Sequence, residues 1–169
     1  SYNYSGEEII FEIPEYDENA MIISGNKGID AGQYEVIVSL KNTNYVWDDG
    51  STNSIILNFE ILKANLNVID SSTNVTVRYD GTPHNVNISL EYNEGTILKY
   101  MDENNEYTLD DVPQYIEVGT YVTRYKLYLD NNHTEYFGER TLTITEDTIP
   151  NNSKDYEGIY DGNEHSITI

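Results

Sequence analysis

The chain reads as an all-β protein: two β-sandwich domains in tandem, followed by the start of a third. Three observations carry this reading. Apolar and polar residues alternate with period two over long stretches, as in Tyr34, Val36, Val38 and Leu40 against Gln33, Glu35, Ile37 and Ser39, the pattern of a half-buried strand. No long segment has helical periodicity, and Gly, Asn and Asp interrupt the chain often. Finally, one stretch recurs: Tyr4-Ser5-Gly6 precedes Phe11 and Ile13, Tyr79-Asp80-Gly81 precedes Val86 and Ile88, and Tyr160-Asp161-Gly162 precedes Ile167 and Ile169. The copies begin 75 and 81 residues apart, a period that means tandem domains rather than a solenoid.

The repeat divides the 169 residues into 1–63, 64–147 and 148–169. In the first part, Glu7–Ile13 and Ala20–Ser24 read as strands and Gly25-Asn26-Lys27-Gly28 as a turn. Asp30-Ala31-Gly32-Gln33-Tyr34 opens the longest alternating strand. Asp48-Asp49-Gly50 marks a hairpin, and the return strand places Ile55, Leu57, Phe59 and Ile61 on one face. No strand precedes Tyr4 to match the one expected at Leu66 and Val68.

In the second part, Val75 and Val77 lead into Tyr79-Asp80-Gly81, and His84–Ser89 and Thr96–Met101 read as strands. Glu117-Val118-Gly119-Thr120-Tyr121 repeats the acid-x-Gly-x-Tyr pattern. Its strand aligns Tyr121, Thr123, Tyr125, Leu127 and Leu129, and the last strand carries Leu142 and Ile144. Gly32 and Gly119 begin strands, where glycine weakens pairing, so both are expected to serve backbone shape or close approach. Gly6 to Gly32 spans 26 residues, whereas Gly81 to Gly119 spans 38. The excess is expected around Met101–Val112 as an acidic surface loop. Residues 148–169 carry the first strand of a truncated third repeat. Tyr156–Ile169 lacks partners of its own, and the edge of the first copy is the expected acceptor, in a neighbouring molecule.

The net charge is −21, from 30 acidic and 9 basic residues. Nucleic-acid binding is excluded on this balance, because phosphate contacts need clustered Lys and Arg. No apolar run reaches transmembrane length and no signal or sorting motif stands in these residues. Cysteine is absent, so no disulfide supports these small domains.

No catalytic, cofactor or metal site is assigned. His84 and His165 occupy the same repeat position and His133 stands apart, a pattern of structural histidines. No nucleophile elbow, zinc-protease or P-loop motif occurs, and the acids are too numerous for a glycosidase pair to be picked out. For calcium the candidates are Asp102, Glu103, Glu106, Asp110 and Asp111, and separately Asp48 and Asp49; their spacing is not that of an EF-hand. Trp47 and the tyrosines, 16 in all, could offer sugar rings a platform, although Tyr34 and Tyr121 are in phase with the core. No pattern selects a Lys–Asn pair for an isopeptide bond.

These residues resemble the bacterial immunoglobulin-like repeats of surface proteins, in particular the MBG and YDG-type repeats. The matching residues are Tyr4, Gly6, Asp30, Gly32, Tyr34, Trp47, Asp49, Gly50, Ile61, Lys63 and Ala64, and in the second copy Tyr79, Gly81, Gly119 and Tyr121. The second copy departs by placing Tyr136-Phe137-Gly138 where the Trp motif is expected, and Glu117 for the aspartate. The resemblance implies immunoglobulin-like sandwiches in an extracellular array on the bacterial cell surface, without catalytic residues and with neighbouring repeats as partners. A β-grasp-like sheet is the rival fold. The expected role is a non-catalytic spacer or stalk. The rivals are an adhesin module for host glycan, mucin or protein, and a calcium-stiffened linker.

Overall fold

The computed structural model describes residues 1–149 and 161–164, and these contain strands and turns but no helix. The first half holds β1 (Tyr2–Asn3), β2 (Ile9–Ile10), β3 (Met21–Ser24), β4 (Lys27–Gly28), β5 (Gly32–Leu40) and β6 (Ile55–Leu62). The second holds β7 (Val68–Asp70), β8 (Val75–Arg78), β9 (Leu90–Tyr92), β10 (Ile97–Met101), β11 (Tyr107–Leu109), β12 (Gly119–Tyr128) and β13 (Tyr136–Thr145).

Among the described residues no sheet joins the two halves. The first main sheet runs β1-β6-β5-β3 and the second β8-β13-β12-β10-β11, with β2-β4 and β7-β9 forming small opposing sheets. The main sheets share one strand order, with β1-β6-β5-β3 matching β8-β13-β12-β10, while β7 and β11 have no counterpart among the described residues of the first half. In each, the strand that opens the main sheet pairs parallel with its last strand, Tyr2 with Ile61 and Val77 with Ile144. All the other ladders are antiparallel. A main sheet with a parallel opening strand, faced by a smaller sheet, is the immunoglobulin-type sandwich, not a β-grasp. In the second half the opposing layer is drawn out by single bridges, Thr73 to Asn87 and His84 to Tyr115. The latter repeats the Ile9–Gly28 pair of the first half.

The alternating strands bury their apolar phase, as the period-two pattern requires. Val36, Val38, Phe59 and Ile61 form the first core, with Tyr34 and Leu57 packed against it. Tyr125, Leu127 and Tyr100 form one cluster of the second half, and Val86, Leu142 and Ile144 another. Phe59 is sandwiched between the stacked rings of Tyr34 and Phe11, at centroid distances of 4.8 and 5.4 Å.

The recurring motifs have physical causes. Tyr34 Oη donates to the carbonyl of Asp30 at 2.7 Å, and Tyr121 Oη to that of Glu117 at 3.0 Å. This is a tyrosine corner, which locks the entry to the long central strand. Only the acid's main-chain oxygen is used, so glutamate replaces aspartate without altering the bond. In the Tyr-x-Gly turns, Asp80 Oδ1 accepts the Thr82 N–H at 2.9 Å and Asp161 Oδ1 the Asn163 N–H at 3.0 Å. The glycines Gly6, Gly81 and Gly162 have φ of 81°, 76° and 77°, where a side chain would be strained.

Several expectations are corrected. Lys27–Gly28 is a strand rather than a turn. Gly28 is needed because a Cβ there would meet the Tyr34 ring at 2.5 Å. A Cβ on Gly119 would meet the Tyr121 side chain at 3.1 Å, whereas one on Gly32 would meet open space, so close approach explains only Gly119. The insertion between β10 and β12 is not a plain loop: β11 returns along β10 as a hairpin. Strand phase places Gly138 opposite Tyr125, as Ile55 stands opposite Val38. Tyr136-Phe137-Gly138 therefore lies inside the last strand and does not replace the Trp47 turn. The strand expected at His84–Ser89 is reduced to bridges leading into β9. Most of the third repeat, including Tyr160 and His165–Ile169, lies outside the described residues.

Candidate functional site

The acidic residues singled out in the sequence are engaged in local structure. Asp102 Oδ1 accepts the N–H groups of Asn104 and Glu106, each at 2.9 Å, and Oδ2 accepts Thr108 Oγ1 at 2.8 Å. The Glu106 N–H leads the bonds that hold this carboxyl below its ordinary value. Asp110 pairs with Lys99 instead. Asp49 accepts the Ser51 N–H at 2.8 Å, which lowers its pKa. Among the described residues no group of three or more His, Asp or Glu side chains is arranged to hold a metal ion.

The histidines serve similar local ends. His84 Nε2 lies 2.9 Å from Asp80 Oδ1. Thr82 Oγ1 binds the same oxygen at 2.7 Å and, with the Thr82 N–H and His84, brings Asp80 down to about 2. His133 Nδ1 lies 2.7 Å from Asp130 Oδ1, and this bond chiefly lowers Asp130. Trp47 Nε1 donates to the Asn53 carbonyl at 2.7 Å, so the indole holds its own turn and packs on the first core.

The most connected polar cluster was not anticipated. Asp70 on β7 faces inward, with its side chain 8% exposed. Its Oδ2 accepts the hydroxyls of Tyr125 and Tyr136 at 2.6 and 2.9 Å. Its Oδ1 accepts the Ser72 N–H and an Arg140 nitrogen, each at 2.9 Å. Arg140 Nε also donates to the Ser72 carbonyl at 2.7 Å. Burial alone would raise the Asp70 pKa; the bonds from Tyr125, Ser72 and Tyr136 outweigh it and bring it to about 2. Tyr125 is correspondingly pushed up to about 12, first by burial and then by the bond to Asp70. The cluster ties the opposing layer to the main sheet. Its signal was legible: Asp70 is in phase with Leu66 and Val68, and Arg140 with Leu142 and Ile144. Two charges of opposite sign therefore fall on inward phases.

Also unforeseen is the contact between the halves. The turn between β12 and β13 presents Asn132, whose Oδ1 accepts the Ala31 N–H at 2.7 Å and whose Nδ2 donates to Asp30 Oδ1 at 2.9 Å. His133 meets the Tyr4 ring edge to face, with 5.6 Å between centroids. At the junction, the Ala64 N–H donates to the Asn132 carbonyl and the Thr134 N–H to the Ala64 carbonyl, at 2.9 and 2.8 Å.

Among the described residues, open grooves lie on both halves. One, of about 540 Å³, lies beside Trp47 and is lined by Ile13, Pro14, Met21, Tyr45 and Asp48. The other, of about 490 Å³, is lined by Tyr107, Tyr136, Phe137, Arg124 and Glu139. There Phe137 is 55% exposed and Tyr107 lies 5.7 Å from it between centroids.

No family model and no curated protein matches the chain. Among solved structures, the fibronectin(III)-like modules of Clostridium thermocellum CbhA are similar at 10% identity with a TM-score of 0.36, over 86% of this chain and 90% of that one. The fold stands on the strand order and register rather than on this slight likeness.

Proposed function

We propose that the chain is a non-catalytic spacer or stalk module of a bacterial cell-surface or secreted protein, akin to the MBG and YDG-type repeats. The observation that carries this reading is the clasp of Asn132 on Asp30 and Ala31. It joins one sandwich to the next through hydrogen bonds at their ends, with a junction of only a few residues around Lys63 and Ala64. The short junction and these hydrogen bonds favour one arrangement of successive sandwiches over a freely swinging pair. The acids support the same role: Asp70, Asp80, Asp102 and Asp130 accept hydrogen bonds that hold turns and layers. The net charge of −21 keeps neighbouring rods apart.

One observation favours an adhesin for host glycan or mucin. The groove beside Phe137 pairs exposed aromatic rings with Arg124 and Glu139, the mixture of stacking surface and hydrogen-bonding groups that suits sugars. A glycan array combined with small-angle scattering separates the two readings. The spacer reading expects an elongated particle and no glycan bound. Saturable binding that Phe137→Ala abolishes would overturn it in favour of the adhesin.

A further inference from the structure

The two sandwiches are alike in register but not in coverage. In the second, β7 and the residues before it close one end of the core. Leu66 is 8% exposed, and with Val68 it belongs to the cluster of Ile88, Leu90, Leu98, Tyr125 and Leu127. Among the described residues, the first sandwich has no strand in that place.

Register identifies the counterparts. Ile9 pairs with Gly28 as His84 bridges to Tyr115, so Ile13 and Glu15 match Ile88 and Leu90. Ile23 faces Val38 as Tyr100 faces Tyr125, so Met21, Val38 and Leu40 match Leu98, Tyr125 and Leu127. All five of these residues of the first sandwich line the groove of about 540 Å³ beside Trp47. The groove is therefore the place that Leu66 and Val68 fill in the second sandwich. Burial follows suit: Leu127 is 0% exposed, whereas Leu40 is only half-buried.

The main chain beside the groove is open as well. In the second sandwich the Ser71 and Thr73 N–H groups donate to the carbonyls of Ser89 and Asn87, each at 2.9 Å, and the Ser89 N–H goes to Ser72 Oγ. Pro14 and Glu12 stand at the places of Ser89 and Asn87 in the first. Both are exposed, and their carbonyls have no hydrogen-bond partner among the described residues. Proline fits there because the residue it matches gives no N–H to a main-chain ladder. The chain then turns at Glu15, with φ of 59°, where β9 continues in the second sandwich. The free edge is short.

We propose that this groove is a docking site for an extended strand of another polypeptide, with aliphatic side chains two residues apart, seated as Leu66 and Val68 are. The second sandwich names the occupant, since it holds the same site filled. Strand addition combines main-chain hydrogen bonds along an open edge with pockets for alternate side chains. The lining sets a further condition. It holds three acids, Glu15, Asp48 and Asp49, and neither Lys nor Arg, so it favours a guest without acids. β7 itself is a poor guest. Its Asp70 is satisfied by Tyr125 and Arg140, and register puts Val38 and Leu57 at their places in the first sandwich. Such a site suits a spacer and an adhesin alike.

Trp47 is the chain's single tryptophan and lines the groove, so its emission reports occupancy. The probe is a peptide with the sequence of residues 63–73 carrying Asp70→Val, titrated into the full chain. The expected result is a saturable change in Trp47 emission, with NMR shifts at Ile13, Met21 and Leu40. Adding Leu66→Asn or Val68→Asn to the peptide is expected to weaken binding roughly tenfold, the scale of a lost aliphatic anchor. Restoring Asp70 is expected to weaken it by a similar factor, because a buried carboxylate without donors is costly. All these changes are made in the guest, so they leave the folding of the host untouched. No saturable change at millimolar peptide, equal binding of the Asn-substituted peptides, or shifts confined to the second sandwich would each overturn the proposal. A change in emission on concentrating the chain alone, with no further effect of peptide, would assign the groove to a second copy and overturn it as well.

Discussion

Tyr125 and Gly138 face each other across the β12–β13 ladder, and a Cβ on Gly138 would stand 2.4 Å from the Tyr125 ring. The glycine gives up strand propensity so that the ring can cross β13 and reach Asp70 on the opposing layer. In the first half the corresponding pair, Val38 and Ile55, is aliphatic.

Gly138→Ala should therefore act far beyond its own strand. The ring has to move, which breaks the 2.6 Å bond to Asp70 and leaves the buried carboxylate short of a donor. A loss of roughly 2–4 kcal/mol is expected from overpacking and the orphaned group together. Urea unfolding followed by circular dichroism reads it. Tyr125→Phe, which keeps the ring in place, should cost less. Equal stability of Gly138→Ala and the parent would mean that the ring is not held there.

Thr123 presents the opposite case. It is 1% exposed, and its Oγ1 has no partner among the described residues. Val36 holds the matching place in the first half, where it faces Leu57 as Thr123 faces Arg140. Replacing a buried unbonded hydroxyl by a methyl removes a desolvation cost, so Thr123→Val should gain about 1 kcal/mol. A rise in melting temperature checks it; a fall would reveal a bond that the valine cannot make.

The Asp70 cluster sets an acid limit on stability. Its pKa is depressed from 3.8 to about 2. A depressed carboxyl contributes stability that is fully present above its unfolded value and is lost as pH falls through its folded value. The window therefore lies between about pH 4 and pH 2, and the contribution is about 2 kcal/mol. Unfolding curves measured across that window should converge for the parent and Asp70→Asn at the acid end and separate above it. Asp80 titrates in the same range but is common to both proteins, so the difference between them isolates Asp70.

Much of the architecture was legible residue by residue. The alternation of Tyr34, Val36, Val38 and Leu40 states which face is buried, because a strand turns successive side chains to opposite sides. Tyr-x-Gly and acid-x-Gly-x-Tyr mark a turn and a strand entry because each bond involved spans only two to four residues. Such short-range geometry is written locally, and it sufficed for the all-β sandwich and the repeat. The Trp47 motif was misplaced in the second half because spacing alone cannot show on which strand a matching triplet lies.

The long-range partnerships were decided by tertiary structure. Nothing near Asp70 in the chain names Tyr125, Tyr136 or Arg140, which lie 55 to 70 residues away. Nothing near Asn132 names Asp30, 102 residues before it. Alternation says that a charge points inward; only the packing of β7 against β12 and β13 says what satisfies it. The same holds for the clasp between the halves, since a turn residue acquires a partner only when two folded ends meet. Periodicity constrains a residue's direction, whereas pairing depends on where the rest of the chain has been carried.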